Sequence, residues 1–302
     1  MKLVENEFIK FMEKFDENPF RIILEDGEHI IGEGEPVFTV KINKVPKMTD
    51  MLTSTSITLG EAYMNGDIEI EGDLYTALNM FLGQMGKFST DKKKLKNIIF
   101  TSKSKANQKK EVSSHYDIGN DFYKMWLDET LSYSCGYFKN DNDTLYQAQC
   151  NKVDRILEKL NLSENMTLCD IGCGWGFLLI EAAKKYKIKG VGITLSKEQK
   201  AKFEQRIKDE GLSERLEVKL LDYRDLPKLN KKFDRVVSVG MIEHVGRGNY
   251  EEFMQCVKSV LKLGGIFVLH FISALKEYPG DAWVKKYIFP GGVIPSLREI
   301  IQ

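Results

Sequence analysis

The chain of 302 residues is long enough for two domains or one large one and can bury a sizeable core. Its 42% hydrophobic and 29% charged content are those of a globular protein, and 44 basic residues balance 44 acidic ones, so overall charge points to no polyanionic partner. No apolar run approaches the roughly 20 residues of a bilayer crossing, Glu5 and Glu7 spoil a secretory pattern, and five cysteines without a paired C-x-x-C indicate neither disulfides nor structural zinc; a cytoplasmic chain with reduced thiols and no metal is expected.

Residues 1–90 read as a small α+β domain. Phe8, Phe11, Met12 and Phe15 fall on one helical face, while Arg21 to Leu24 and Val37 to Ile42 have the pattern of short strands. The Phe-rich face suits core or domain contact better than a membrane surface. Leu59-Gly-Glu-Ala-Tyr-Met-Asn-Gly-Asp67 precedes a helical pattern in Leu74, Leu78, Phe81 and Leu82, and no catalytic constellation stands here. Lipid docking or dimerisation, the latter leaving room for a homodimer, is the role this domain is assigned.

Residues 91–110 form a linker in which eight lysines, 92, 93, 94, 96, 103, 105, 109 and 110, surround the apolar patch Ile98 to Phe100. A solvated connector and a contact with anionic lipid headgroups are the two readings. Nucleic acid is not expected, since there are no clustered arginines and no aromatic stacking platform.

Next comes His115-Tyr-Asp-Ile-Gly-Asn-Asp-Phe-Tyr123, then Trp126 and Leu131-Ser-Tyr-Ser-Cys-Gly-Tyr-Phe138. Aromatic rings interleaved with Ser, Cys, Asn and Gly have the composition of a pocket lid. From residue 145 the rhythm turns regular. An amphipathic helix through Val153, Ile156, Leu157 and Leu160 leads to a strand at 167–171, a glycine turn and a helix ending at Tyr186. Strands at 190–194, 216–220, 233–239 and 265–270 follow, with helices at 197–210 and 249–262. Alternating β and α units with Val-, Ile- and Leu-rich strands predict an α/β fold: a doubly wound, mostly parallel, Rossmann-like sheet beside the smaller N-terminal domain.

The turn is Leu168-Cys-Asp-Ile-Gly-Cys-Gly-Trp-Gly176, spaced G-x-G-x-G, so the third glycine of a dinucleotide fingerprint would fall at Phe177. Asp170 just before it favours S-adenosylmethionine (SAM), whose sulfonium and amino groups prefer a carboxylate to a phosphate nest. Ligands of such sheets lie beyond the strand carboxyl ends, here Asp170, Thr194-Leu195, Asp222-Tyr223, Glu243-His244 and His270.

Taken together, His115–Tyr123, Tyr133-Ser-Cys-Gly-Tyr-Phe, Asp170-Ile-Gly-Cys-Gly-Trp-Gly, Gly240-Met-Ile-Glu-His-Val-Gly and Tyr287-Ile-Phe-Pro-Gly-Gly resemble the cyclopropane fatty acid synthases, SAM-dependent methyltransferases acting on unsaturated acyl chains. The resemblance runs from about residue 111 to 302, and Leu59 to Asp67 is similar to the N-terminal domain of phospholipid-acting members. It implies SAM contacts at Tyr133, Ser134, Asp170, Gly172, Gly174, Thr194, Leu195, Gln199, Asp222 and Tyr223, with Gln199 serving the ribose where many methyltransferases use a carboxylate at the Thr194 position. It also implies a bound bicarbonate as base, held by Glu243, His270 and main-chain groups of Cys135 and Ile272.

The chemistry implied is transfer of a methylene to a cis double bond of a membrane phospholipid through a carbocation, in a dry site. Tyr116, Tyr137, Phe138, Phe271 and Phe289 are candidates for stabilising that cation with their ring faces. The enzyme is expected to act peripherally at the inner membrane surface, through transient contact. Alternatives are a relative giving a methyl-branched product and a SAM- and membrane-binding module without turnover. Family members continue beyond the position of Gln302 with a helix and a segment that supplies a tyrosine to the bicarbonate site. No residue here matches it, so residues 111–302 are expected to form a catalytic domain lacking its C-terminal end, whether cut short, naturally short or completed by another chain.

Overall fold

A computed structural model describes residues 2–84, 119–277 and 280–302. The Lys-rich stretch, His115 and Tyr116 lie outside the described residues.

Two compact units divide the chain: Met1–Phe100 with Asp281–Ile288, and Thr101–Gly280 with Phe289–Gln302. In the first, helix α1 (Lys2–Met12) precedes strands β1 (Phe20–Leu24), β2 (Gly27–Ile31) and β3 (Phe38–Ile42), helices α2 (Met48–Thr53) and α3 (Thr55–Met64), strand β4 (Ile68–Gly72) and helix α4 (Leu74–Gly83). The sheet order is β2-β1-β3-β4, with β1 and β3 parallel and both outer pairs antiparallel. Alternation in β1 buries Phe20, Ile22 and Leu24 against Phe8, Phe11, Met12 and Phe15, so the Phe-rich face of α1 is core.

Three features differ from the sequence reading. Strands β2 and β4 have no clear apolar alternation, because Glu and His fill their exposed positions, and their pairing with β1 and β3 makes them strands. On α4 the buried residues are Ala77 and Met80, with Phe81 packed on the core, while Leu74, Leu78 and Leu82 of the expected apolar face are exposed. Finally, Asp281–Ile288, expected in the catalytic domain, joins this unit. There Glu61 of α3 binds Lys286 and accepts from Tyr287 Oη at 2.7 Å.

The second unit starts with the short helix α5 (Asn120–Lys124) and the long α6 (Leu145–Leu160), opened by a Thr144–Gln147 capping box. Then follow β5 (Thr167–Ile171), α7 (Phe177–Tyr186), β6 (Lys189–Thr194), α8 (Lys197–Asp209), β7 (Leu216–Leu220), a 3₁₀ turn over Tyr223–Leu229, β8 (Phe233–Val239), α9 (Ile242–Val245), α10 (Tyr250–Val260) and β9 (Leu261–His270). Helices α11 (Ala282–Tyr287, in the first unit) and α12 (Leu297–Ile301) complete the described elements. Strand β9 starts at Leu261, where helix was expected, because Leu261 pairs with Phe233 before a register shift.

This sheet is parallel throughout, in the order β7-β6-β5-β8-β9. Period-2 alternation sends Leu168 and Val237 to one core, with α6, α7 and α8, and Cys169, Ile171 and Val236 to the other, with α10. The expected doubly wound sheet, covered on both faces, is therefore present. Strand β5 sits where the order reverses, with β6 leaving on one side and β8 on the other, which opens a crevice above its carboxyl end.

Candidate active site

The crevice holds an open cavity. All ten expected cofactor residues line it: Tyr133, Ser134, Asp170, Gly172, Gly174, Thr194, Leu195, Gln199, Asp222 and Tyr223. In its lining, Asp170 is 2% exposed, and its Oδ1 has no hydrogen-bond partner among the described residues. Burial pushes its carboxyl up to about 7, so the anion is poorly stabilised until a cation meets it. At Gly174 (φ +54°) an added Cβ would meet no atom within 4 Å, which leaves the turn's backbone open to a ligand. Gly176 (φ +86°) serves packing instead: a Cβ there would lie 2.1 Å from the Phe203 ring. An orphaned buried carboxylate beside a bare glycine turn fits the aminoacyl end of SAM.

Beyond β6, Thr194 Oγ1 donates to Gln199 Oε1 at 2.7 Å, and Ser196 caps α8 by accepting from the Gln199 amide at 3.2 Å. Gln199 is thus a buried cavity residue held from two sides. After β7, Arg224 grips both oxygens of Asp222, Nε at 2.8 Å and Nη2 at 2.7 Å. Tyr223 packs edge-on to Phe253, and its buried hydroxyl has no hydrogen-bond partner among the described residues.

Cys135, Glu243, His270 and Ile272 do not line that cavity; they pair with one another. Cys135 Sγ lies 3.9 Å from His270 Nε2, and the Ile272 amide donates to Glu243 Oε1 at 2.8 Å. Main-chain bonds brace both acid–base groups: Gly240 N–H donates to His270 O at 2.9 Å and Val293 N–H to Glu243 O at 2.8 Å. Burial raises the Glu243 carboxyl. Burial, then the charge of Lys152, lowers the His270 imidazole. Both groups are pushed toward their neutral forms, and Glu243 Oε2 and His270 Nδ1 are buried without partners among the described residues. Of the Ile272 main-chain groups expected at an anion, the amide is committed to Glu243.

Of the proposed cation-facing rings, Phe289 stands at the site, stacked on Tyr133 (5.9 Å, 18°) and 5.9 Å from His244. Tyr137 and Phe138 are exposed, the former with Arg155 over its ring, and Phe271 packs on the core around β8 and α10. Sequence reading passed over Lys152 and Met241 as cavity residues, whereas His244, one of the strand ends expected at the crevice, does line it. Lys152 sits within an amphipathic helical pattern, where a lysine normally marks the solvated face, and only its 5% exposure reveals otherwise.

The sheet order, the acidic strand end with its glycine turn and the cavity at the switch point define a class I SAM-dependent methyltransferase. Residues 103–302 match the family described as mycolic acid cyclopropane synthetase, and residues 8–93 a family described as a domain of unknown function (DUF7884). The chain is 38% identical over 295 residues to the cyclopropane-fatty-acyl-phospholipid synthase of Escherichia coli K12, spanning 95% of this chain and 75% of that protein. Among solved structures, the cyclopropane synthase MmaA2 from Mycobacterium tuberculosis superposes with a TM-score of 0.60 at 33% identity, over 64% of this chain and 72% of that one. The mycolic acid cyclopropane synthase CmaA1, complexed with SAH and CTAB, does so with 0.58 at 34%, over 64% and 71%. The chain belongs to the cyclopropane fatty acid synthase family.

Proposed function

We propose that this protein adds a methylene from SAM across a cis double bond of a phospholipid acyl chain, through a carbocation that closes to a cyclopropane. The observation that carries the reading is the paired cluster Cys135–His270 and Glu243–Ile272, with buried Glu243 Oε2 and His270 Nδ1 unpartnered among the described residues.

SAM, when bound, supplies a methyl group on a positively charged sulfur. Asp170 would hold its ammonium, Gln199 its ribose and the Asp222–Tyr223 turn its adenine. Among the described residues, the orphaned donor and acceptor sites of His270 and Glu243 fit a small anion carrying both kinds of group. Glu243, His270 and the main chain at Cys135 would hold bicarbonate, which supplies a base for the proton lost on ring closure. A protonated Glu243 donates to such an anion without adding a second negative charge. Ile272 keeps Glu243 in place through its amide. Phe289, stacked on Tyr133, offers a ring face to positive charge, an effect of about 2 kcal/mol in a desolvated site.

Phospholipid acyl chains as substrate would bring the enzyme to the cytoplasmic face of the inner membrane as a peripheral protein. No helix among the described residues is long and apolar enough to cross a membrane. Residues 1–90 are assigned lipid docking or dimerisation, and exposed Leu74, Tyr75, Leu78 and Leu82 supply an apolar face for either. Incubation with methyl-deuterated SAM and unsaturated phospholipid vesicles tests the reaction. Cyclopropane chains keeping two deuteria per added carbon are expected; three retained would establish a methyl-branched product instead.

A further inference from the structure

The SAM cavity contains a cation that the chemistry above does not use. Lys152 of α6 is 5% exposed and lines the cavity together with Asp170. Its ammonium donates to two neutral acceptors, Ser134 Oγ at 2.8 Å and Gln149 Oε1 at 2.5 Å. The third N–H has no protein acceptor among the described residues. Gln149 Nε2 in turn donates to the carbonyls of Ser132 (3.2 Å) and Ser134 (2.9 Å), so ammonium, amide and the Ser132–Ser134 backbone form one fixed array.

A buried ammonium with only neutral partners is costly, and a lysine spent on holding a turn would be replaced at less cost by a neutral donor. Burial lowers this ammonium to about 8, the strain expected of a charge awaiting an anion. Ser134 accepts from it, so the serine's own O–H remains available to donate to a ligand in the cavity that both residues line. The cavity thus presents, across one ligand space, a buried carboxylate with a free oxygen and a buried ammonium backed by a free hydroxyl. That is the charge complement of an α-amino acid, whose ammonium and carboxylate sit on one carbon.

We infer that Lys152, with Ser134 as its hydroxyl partner, binds the α-carboxylate of the SAM methionyl group, opposite Asp170 at the ammonium. The inference rests on the reading of this cavity as the SAM site. Lys152 thereby recognises the cofactor's aminoacyl end, and Gln149 is a positioning residue that holds the pair.

The test is calorimetric binding of S-adenosylhomocysteine and of its decarboxylated analogue to the full chain, where no turnover occurs. Wild type should prefer the carboxylated ligand by roughly 30-fold, the range of a charge-assisted hydrogen bond. Lys152→Met should abolish that preference while leaving the decarboxylated analogue within about threefold of its wild-type affinity, and Lys152→Arg should restore part of it. Should Lys152→Met not fold, Ser134→Ala, which removes only the hydroxyl, should reduce the preference by about threefold to tenfold. Equal weakening of both ligands, or an unchanged preference, would overturn the inference while leaving the SAM site intact. Wild type binding neither ligand would overturn the SAM site itself and the inference with it.

Discussion

The Ile272 amide donates to Glu243 Oε1 at 2.8 Å, tying α9, which follows β8, to the chain leaving β9. One carboxylate oxygen is fixed and the other, buried and without a partner among the described residues, is left to act. Glu243→Gln preserves this geometry and removes the titratable proton. Turnover on unsaturated vesicles should fall roughly 10²- to 10⁴-fold while SAM affinity, read by calorimetry, stays within about threefold.

Asp170 makes the empty protein sensitive to pH. Its folded-state pKa, raised by burial to about 7, lies above the usual carboxylate value. The folded state therefore keeps a proton that the unfolded chain has lost, and stability falls as pH rises from about 4 to about 7, by up to about 4 kcal/mol. Asp170→Asn should melt higher than wild type at pH 8 without ligand, with the difference vanishing near pH 4. It should also bind SAM on the order of 100-fold more weakly.

Asp234 acts with the opposite sign. Burial alone would raise it, but Lys262 Nζ (2.8 Å) and the Thr167 amide (2.8 Å) and hydroxyl (2.7 Å) outweigh that and hold it at about 2. This stability is present above about pH 4 and is lost as pH falls toward 2, about 2 kcal/mol in all. Asp234→Asn should therefore lower the denaturation midpoint in urea at pH 7 and have little effect at pH 2.

Gly176 joins the glycine turn to α7 in a left-handed conformation, against the fully buried Phe203. Gly176→Ala combines positive-φ strain with overpacking against that ring and should cost about 3 kcal/mol or more. Thermal melting would register it as a drop of several degrees, accompanied by weakened SAM binding because the turn shifts.

Much of the catalytic unit was legible in the sequence because its determinants are local. Parallel strands buried on both faces read as apolar runs, glycines mark the turn, and strand ends can be counted; hence Asp170, Thr194 and Asp222 were visible as candidates for one crevice. In the first unit, β2 and β4 were hidden because partners distant in the chain, rather than their own composition, make them strands. The apolar face of α4 misled for a related reason: helical spacing identifies a stripe, but packing selects which stripe meets the core, and here it chose Ala77 and Met80 over the leucines.

By itself, then, the sequence determined a doubly wound sheet, its glycine turn and the strand ends, among them Asp170, Thr194 and Asp222, that meet at one crevice. Tertiary structure alone decided which groups are buried together and left without partners. Lys152 shows the difference most clearly. In the chain it is one of many lysines on an amphipathic helix, and only the closing of Ser134 and Gln149 around it turns a surface residue type into a buried charge that faces the cofactor cavity.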